Sequence, residues 1–288
     1  MVIIADSGST KCDWVILDAK GTCVDETSSQ GLNPYFHSEN DVEKAIRSNP
    51  TLMSYSRDTT HIFFYGAGSS SPSMCGIIQR GLQRVFTGAQ VKVDHDLLGS
   101  AMATYDGRPC ISCILGTGSN SCFFDGIEVH EEIPSLAYIL GDEGSGSYFG
   151  KKLLTEYFYK LLPNELSEAF HNEFHLTKEE LLQRVYREPN PNTFLAGFMK
   201  FISAHSAHSH VQKWLVDGMR HFISIHVKCY ANWKDVPVHF VGSIGFIFRQ
   251  QLEEAAQLEG ISLGRIIQKP IDGLAAYHVK YRWPDDLS

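Results

Sequence analysis

The chain has 288 residues, 43% of them hydrophobic, and a formal net charge of −8 at pH 7. This length and apolar content suffice for two ordinary domains, and the acidity argues against a surface that binds nucleic acid or anionic membranes. The seven scattered cysteines predict reduced thiols, and apolar runs too short for a bilayer, with no charged leader, predict a cytoplasmic protein.

The first half opens with strands and continues with strands separated by helices. Extended segments reach to about residue 28, and a loop follows over 31–34. The next predicted elements are a helix over 38–47, a strand over 61–66, a helix over 73–86, a strand over 91–93 and, after the segment 94–100, a helix that ends at 105. This order indicates a mixed sheet covered by helices, within a domain at 1–105.

The second half restarts near 106–107 with its own pair of strands, and we expect a short hinge there. Its predicted strands lie at 111–114, 121–124 and 238–241, with a short extended stretch after the second. Its predicted helices lie at 147–162, 177–186 and 194–230, the last broken near 206–207, with another running through 259. We expect a domain at 106–270, while the helical segment within 271–288 could return to the first domain.

Two glycine-rich turns of similar design stand between apolar strands about a hundred residues apart. The first, at 6–11, reads Asp-Ser-Gly-Ser-Thr-Lys, and the second, at 115–120, reads Leu-Gly-Thr-Gly-Ser-Asn. Glycines allow backbone N–H groups to approach a ligand and hydroxyls add donors, so phosphate is the natural ligand. Each turn precedes a strand and not a helix, which excludes the P-loop and the dinucleotide fingerprint. Either turn alone could be a plain hairpin, but the repeat predicts two similar halves that close on one ligand.

Carboxylates at the ends of two predicted strands are candidates for chemistry. Asp6 directly precedes the first turn and could hold Mg²⁺ through water, or could cap its own turn. Asp96 lies where a strand meets a helix and could accept the proton of an attacking hydroxyl, with Asp94 as a competitor. Asp94 or Asp96 could instead be the N-cap of the following helix.

A further acidic pair, Asp142 and Glu143, is crowded by glycines over 141–146. Such a rigid loop could hold a carboxylate against sugar hydroxyls, whereas a helix capping box accounts for only part of the glycine content. The histidines of the long helical pattern have no supporting carboxylate nearby in sequence, so we interpret them as solvated or core residues. They are His205, His208, His210, His221 and His226. Cys110 and Cys113 lie within a strand and are expected to pack in the core.

These motifs, in this order and over nearly the whole chain, resemble the actin-like ATPase and sugar kinase superfamily. Within it they are most similar to the eukaryotic-type N-acetylglucosamine kinases and the related BadF/BadG/BcrA/BcrD ATPases. The segments that carry the resemblance are 6–10, 31–33, 96 with 99–100, 116–120, 141–145, 195–198 and 241–243. The opening turn departs from the Gly-Gly-Gly-Thr of many members, and the chain is shorter than the mammalian kinases, so phosphate binding is expected but the sugar is left open.

The resemblance implies an α/β fold of two ribonuclease H-like domains, with ATP and Mg²⁺ in an inter-domain cleft. It implies Asp96 as the catalytic base and Asp6 as the residue that holds Mg²⁺ through water. The residues it implies for nucleotide binding are Asp6, Ser7, Gly8, Ser9, Thr10, Lys11, Gly116, Thr117, Gly118, Ala196, Gly242 and Ser243. Those it implies for sugar binding are Asn33, Asp96, Ser119, Asn120, Asp142 and Glu143.

The implied activity is transfer of the γ-phosphoryl group of ATP to a sugar hydroxyl, with the 6-hydroxyl of N-acetylglucosamine as the first expectation and a homodimer as a family-level expectation. Two alternatives stay open. One is a BadF-type ATPase that activates a partner enzyme, although this chain lacks a cysteine beside a glycine turn at a helix start for an iron–sulfur cluster. The other is a sensor of sugar or nucleotide without catalysis, which would have no need of a base.

Overall fold

The computed structural model describes residues 1–8 and 10–283, which belong to two compact units. The first unit comprises Met1–Arg108 together with the chain from Lys269 onward, and the second comprises Pro109–Gln268. Each unit has its own five-stranded sheet and its own hydrophobic core. No helix among the described residues is long and apolar enough to cross a membrane.

The first sheet joins an antiparallel meander to two parallel strands. Its strands are β1 (Val2–Ser7), β2 (Lys11–Leu17), β3 (Cys23–Gln30), β4 (His61–Gly66) and β5 (Gln90–His95), in the order β3-β2-β1-β4-β5. The parallel strands β1, β4 and β5 are in register, with Asp6 beside Tyr65 and Tyr65 beside Asp94. Because parallel strands end at the same edge of a sheet, this register brings Asp6 and Asp94 to one edge.

Four helices of the first unit lie before residue 109, and the first three begin where the sequence provides caps. They are α1 (Glu39–Arg47), α2 (Pro50–Ser54), α3 (Pro72–Gln83) and α4 (Asp96–Thr104). Ser38 caps α1 in a capping box with Asp41, and Asn49 and Ser71 cap the next two helices, each with a proline directly after the cap. The predicted start of α1 is therefore confirmed, whereas the predicted helix over 73–86 ends earlier, at Gln83.

The second sheet repeats the plan of the first. Its strands are β6 (Cys110–Leu115), β7 (Ser119–Phe124), β8 (Val129–His130), β9 (Val238–Val241) and β10 (Leu263–Ile267), in the order β10-β9-β6-β7-β8. The first three are antiparallel neighbours, and β9 and β10 extend the sheet in parallel from β6. This match of order and direction confirms the two similar halves that the repeated turns predict.

The second unit is richer in helix than the first. Its helices are α5 (Ala137–Leu140), α6 (Gly146–Phe158), α7 (Asn164–Phe174), α8 (Lys178–Tyr186), α9 (Pro191–Gly197), α10 (Met199–Ala204), α11 (Ser209–Phe222), α12 (Ser243–Ile247) and α13 (Arg249–Glu259). A π-helical turn over Ile223–Val227 continues α11. In the first unit, α14 (Ile271–Tyr277) follows and continues as a π-helical turn over His278–Arg282.

Several sequence expectations need correction at element boundaries. The predicted six-residue turns at 6–11 and 115–120 are shorter, because β1, β2, β6 and β7 extend into them. Among the described residues, only Gly8 and Thr10 of the first turn and 116–118 of the second lie outside strands. The predicted break in the long helix near 206–207 is confirmed between α10 and α11, but the helical segment begins at Pro191, and α6 ends at Phe158 instead of 162. Helix α7 and strand β10 were not predicted. Cys110 and Cys113 are buried in β6, as expected of core residues.

Candidate active site

Asp6 lies near other carboxylates, at the edge of the first sheet where the parallel strands β1, β4 and β5 end. It is opposite Asp13 on the neighbouring strand, and Asp96 follows the end of β5 at the same edge. Burial, and then the charges of Asp96 and Asp13, raise the pKa of Asp6 to about 8. At neutral pH this carboxyl therefore holds a proton unless a nearby cation compensates its charge.

We tested whether these carboxylates fit Mg²⁺. Among the described residues, no group of three or more His, Cys, Asp or Glu side chains could hold a metal ion directly. Mg²⁺ keeps much of its water shell and usually binds proteins through one or two carboxylates and substrate phosphates. The Asp6 carboxyl, with its raised pKa, fits such a water-mediated contact and does not fit a protein cage.

Asp96 is the first residue of α4 and does not cap that helix. The N-cap is His95, which makes no side-chain cap hydrogen bond. The competing Asp94 accepts the backbone N–H of His95 at 2.9 Å through its own carboxylate. Asp94 thus serves its own backbone, and Asp96 stays the candidate base that the resemblance implies.

The first glycine turn is fastened to the loop that contains Asn33. The buried Ser7 hydroxyl accepts the backbone N–H of Leu32 at 2.9 Å, and the Thr10 carbonyl accepts that of Gly31 at 3.0 Å. Ser7 therefore holds this loop in place, and its implied contact with nucleotide stays a prediction. Lys11 is half exposed and pairs with Asp13 at 2.5 Å, so it is not simply solvated. Gly8 closes the hairpin with a backbone bond to Lys11 at 2.9 Å, and Ser9 lies outside the described residues.

Asn33 is buried, and its side chain helps to shape its own loop. Its Oδ1 accepts the backbone N–H of Tyr35 at 3.0 Å. Gly68, in the segment after β4, has φ of +82°, and a Cβ there would lie 2.3 Å from this Oδ1. Only glycine allows the two segments to approach this closely. The structure thus places Asn33 at the turn end of the first unit, with one side of its amide engaged by the protein.

The second glycine turn directs its carbonyls inward and leaves two amides available. The carbonyls of Gly116 and Thr117 accept the N–H groups of Gly146 and Ser147, at the start of α6, at 2.9 and 3.0 Å. The N–H groups of Thr117 and Gly118 make no hydrogen bond to another described residue. Free backbone amides in a glycine turn are suited to bind phosphate oxygens. The start of α6 cannot serve this purpose, because its first amides are already bonded.

Gly242 allows β9 to pass close behind this turn. Its φ is +120°, and a Cβ there would lie 2.4 Å from the carbonyl oxygen of Leu115. Its role is therefore to permit close backbone approach, and it lies beside Ser243 at the start of α12. Asn120, implied for the acceptor, uses its Oδ1 to accept the neighbouring N–H of Ser121 at 2.9 Å.

Asp142 connects the glycine-rich loop to the second turn. It is buried with φ of +59°, and its carboxylate accepts the backbone N–H of Ser119 at 3.1 Å and contacts the Ser147 hydroxyl at 3.5 Å. Burial raises the pKa of Asp142, although the bond from Ser119 and the nearby Lys151 oppose this. A buried carboxylate held in this way is rigid.

Glu143, the next residue, pairs with His226 across a large sequence distance. The two side chains are 3.0 Å apart, and the Ser119 hydroxyl donates to the Glu143 carbonyl at 2.8 Å. Burial opposes ionisation of Glu143, but the hydrogen bond from His226 and the proximity of His226 and His221 outweigh it and lower its pKa. Both members of the acidic pair are thus structurally anchored.

The expectation that the histidines lack a supporting carboxylate is wrong. Besides His226, His208 pairs with Glu165 at 3.0 Å and His210 pairs with Glu156 at 2.8 Å. These partners stand 43 and 54 residues away in the chain, so local sequence could not reveal them. The described part of the chain nevertheless holds no cluster that could bind a metal ion.

A cavity of about 520 Å³ opens in the second unit beside the second glycine turn. Four of the residues implied for nucleotide binding, from three separate segments, line it: Gly116, Thr117, Ala196 and Ser243. The sequence analysis missed the rest of its wall, which is Gly146, Met199, Lys200, Ser203, Ala204, Ile244, Ile247 and Phe248. The missed side chains are mostly apolar, and six of the eight residues come from helices α10 and α12, which gave no motif signal. The volume and the mixture of apolar wall and polar turn suit a small organic ligand that carries phosphate.

Comparisons with known proteins agree with this arrangement. No family model matches the sequence, and no curated protein matches it. A protein from Porphyromonas gingivalis, provisionally named an N-acetylglucosamine kinase, is 36% identical with a TM-score of 0.92, over 98% of this chain and 100% of that one. A protein of the same provisional name from Chromobacterium violaceum is 15% identical with a TM-score of 0.78, over 96% and 98% of the two chains.

A ROK family glucokinase from Streptomyces griseus, solved with glucose and AMPPNP, is 14% identical with a TM-score of 0.56, over 96% of this chain and 98% of that one. This likeness and that to the Chromobacterium violaceum protein show the fold alone. They confirm the predicted α/β fold of two similar domains. At 36% identity over nearly the whole length of both chains, the Porphyromonas gingivalis protein shows the family. The chain therefore belongs to the N-acetylglucosamine kinase-like family of sugar kinases that have the actin-like ATPase fold.

Proposed function

We propose that the protein is an ATP-dependent sugar kinase whose acceptor is N-acetylglucosamine, phosphorylated at the 6-hydroxyl. The observation that carries the proposal is the convergence of Gly116, Thr117, Ala196 and Ser243 on one cavity beside a glycine turn with two available amides. The similarity to the Porphyromonas gingivalis protein supports the choice of acceptor.

In this proposal the nucleotide occupies the cavity of the second unit. The base and ribose pack between the apolar walls that α10 and α12 provide, such as Met199 and Ile247. The phosphates extend toward the amides of Thr117 and Gly118. Thr10 and its neighbours in the first turn are proposed to contact the same phosphates, because the two turns occupy equivalent positions in two equivalent sheets.

The acceptor is held by polar side chains that the protein itself orients. Asn33, Asp142 and Glu143 are proposed to bind sugar hydroxyls, with Ser119 and Asn120 near them. Asp142 and Glu143 are anchored by hydrogen bonds, so little side-chain entropy is lost when the sugar binds. Rigid carboxylates of this kind select hydroxyl donors by position.

Asp96 is proposed as the base of an in-line displacement. The sugar oxygen forms a bond to the γ-phosphorus while the bond from that phosphorus to the bridging oxygen of ADP breaks. The hydroxyl proton passes to the Asp96 carboxylate, and ADP leaves with the bond electrons. Asp6 is proposed to hold Mg²⁺ through water, and the ion when bound neutralises charge on the phosphates. Most of the rate enhancement then comes from positioning.

A panel assay tests the proposal. Purified protein is incubated with ATP and Mg²⁺ and with N-acetylglucosamine, N-acetylmannosamine, glucosamine, glucose or no sugar, and ADP release is followed. We expect release with N-acetylglucosamine well above the other sugars. ADP release that no sugar stimulates would favour the partner-activating ATPase, and tight sugar binding without turnover would favour the sensor. Either result would overturn the proposed kinase activity.

Two accompanying proposals concern the setting of the enzyme. We propose that the reaction takes place in the cytoplasm, where ATP is supplied. We also propose a homodimer. Light scattering on a gel-filtration peak tests the assembly, with a mass twice the 32.3 kDa of one chain as the expected result.

A further inference from the structure

His226 is a buried histidine that makes a specific contact with the glycine-rich loop. Its Nε2 lies 3.0 Å from Oε2 of Glu143, and their side chains are only 5% and 15% exposed. The ring stacks on Phe222 with centroids 4.9 Å apart and planes at 19°. These contacts leave the imidazole little freedom to move away from Glu143.

The backbone around His226 is held just as firmly as its ring. The residue lies in the π-helical turn that continues α11, and such single turns occur frequently at functional sites. Its carbonyl accepts the Ser121 hydroxyl at 2.6 Å, which ties the turn to β7, two residues after Ser119. Because Ser119 also bonds the Glu143 carbonyl, β7 braces both members of the pair.

The other ring nitrogen indicates how His226 is used. Nδ1 is buried and has no hydrogen-bond partner among the described residues. An ionised carboxylate only accepts hydrogen bonds, so the contact at 3.0 Å requires a proton on Nε2, which donates to Glu143. A histidine kept only for packing would not need this directed bond.

We propose that His226 is a positioning residue that fixes the Glu143 carboxylate for the acceptor sugar and thereby sets the affinity for that sugar. This inference rests on the proposed function. Two anchors define the geometry: Ser119 holds the backbone of Glu143, and His226 holds one oxygen of its carboxylate. The other carboxylate oxygen is then presented in one orientation, and a sugar hydroxyl can donate to it without first ordering a flexible side chain.

The chain offers a matched control for this pair. His210 on α11 and Glu156 on α6 form a second histidine–glutamate pair at 2.8 Å in the same unit, and their other described side-chain contacts are with Lys152, His208 and Trp214. If a histidine substitution acts only through protein stability or through loss of its contact with glutamate, substitutions at His226 and at His210 should have the same effect on the KM for sugar. A change that acts through the acceptor would affect only the first.

The experiment compares His226→Leu, His226→Gln and His210→Leu with the wild-type kinase. Loss of a hydrogen bond to a charged group is worth about a tenfold change or more in affinity. We expect His226→Leu to raise the KM for sugar by about tenfold or more while the KM for ATP is unchanged. Gln can place an amide donor near the position of Nε2, so His226→Gln should recover part of the loss. His210→Leu should leave both constants as in the wild type.

The pH dependence of sugar binding gives a second readout, measured by calorimetry without nucleotide. Without His226, burial acts on Glu143 with less opposition, so the pKa of Glu143 rises. As the pH is lowered, Glu143 should therefore become protonated, and sugar affinity should be lost, at a higher pH in the variant than in the wild type. Besides His226, the titratable groups that influence Glu143 or are influenced by it are His221, Tyr148, Lys151 and Asp142. All of them remain in every variant, so their contributions cancel in the comparison.

The outcomes separate the two claims. If the wild type phosphorylates a sugar but His226→Leu and His226→Gln keep its sugar KM and pH profile, the positioning role is overturned and the proposed function stands. If both His226 variants and His210→Leu lose activity equally, the effect is structural and the inference is again overturned. A wild type that is inactive with every acceptor overturns the proposed function and this inference with it.

Discussion

The carboxylate of Asp142 accepts the backbone N–H of Ser119 at 3.1 Å, which joins the glycine-rich loop to the second glycine turn. The loop carries residues proposed for the sugar, and the turn carries amides proposed for phosphate. Together with the bond from the Ser119 hydroxyl to the Glu143 carbonyl, this bond gives the two functions a shared rigid support. A disturbance at the junction should therefore affect the binding of both substrates.

Gly118→Ala tests that coupling. A Cβ at Gly118 would lie 2.9 and 3.0 Å from the two carboxylate oxygens of Asp142. Because the carboxylate is buried and bonded, it cannot move without breaking its bond to Ser119, at a cost of about 1–3 kcal/mol. We expect the KM values for sugar and for ATP to rise together in steady-state kinetics. Gly197→Ala, where a Cβ meets nothing within 4 Å, is the control and should behave as the wild type.

Asp96→Asn should separate chemistry from binding. The amide cannot accept the hydroxyl proton, so kcat should fall by about 10²–10⁴-fold while both substrates still bind. Asp94→Asn is the matched variant two residues away, and it should lower kcat less than about tenfold because Asp94 serves its own backbone. Single-turnover rates and calorimetric binding measure the two effects. Equal losses in the two variants would contradict the assignment of Asp96 as the base.

In the absence of Mg²⁺, Asp6→Asn should raise the free energy of unfolding, and the gain should be larger at high pH than at low pH. The pKa of Asp6 rises on folding from 3.8 to about 8, so the folded protein binds this proton more tightly than the unfolded chain. The stability that the proton contributes is full below about pH 4 and is lost as pH rises to about 8. The variant removes this loss, on the order of 2–4 kcal/mol after allowance for solvent screening.

Thermal unfolding of the wild type and Asp6→Asn in a metal chelator, from pH 4 to pH 9, measures this effect. The variant should melt higher by about 5 °C or more at pH 8, and the difference should shrink toward pH 4. Asp18→Asn is a suitable control, because that exposed carboxylate has its pKa lowered by backbone bonds from Thr22 and Lys20 and should show no such gain. A difference between wild type and Asp6→Asn that does not change with pH would contradict the raised pKa.

Lys200→Met should weaken nucleotide binding. Lys200 is the one charged side chain that lines the 520 Å³ cavity, and within the described part of the chain its ammonium has no ion pair or hydrogen bond. An available cation on the wall of a nucleotide pocket should attract phosphate or a ribose oxygen. We expect the KM for ATP to rise roughly three- to tenfold with the KM for sugar unchanged. Lys178→Met, at the exposed start of α8, provides the comparison, and an equal effect there would refute the role of Lys200.

Local sequence signals were sufficient for much of the fold. The runs at β4 and β9 consist of residues that favour strands, and their bounds agree closely with the predicted 61–66 and 238–241. The start of α1 is determined by a capping box that reads directly from the sequence. The hydrophobic pattern did not predict α7 and β10, because few of their residues are buried. Helix α7 buries only Leu166 and Phe170, and β10 has a single buried residue, Ile266.

Some residues of the candidate site could likewise be identified from the sequence, whereas others could be identified only from the tertiary structure. Gly116, Thr117, Ala196 and Ser243 were found through motif order, since no periodicity joins residues so far apart in the chain. Lys200 was missed because an exposed lysine on a short helix has no local feature that marks a pocket wall. The partnership of His226 with Glu143 spans 83 residues and depends on how the π-helical turn after α11 packs beside β7, which only tertiary structure determines.

The most direct test of the kinase assignment is identification of the product. Purified protein is incubated with ATP, Mg²⁺ and N-acetylglucosamine, and the mixture is analysed by phosphorus NMR and mass spectrometry. The kinase assignment predicts ADP and N-acetylglucosamine 6-phosphate in equal amounts, with a phosphorus signal coupled to the two protons on carbon 6. ADP without a phosphorylated sugar, or no turnover with any sugar of the panel, would contradict it.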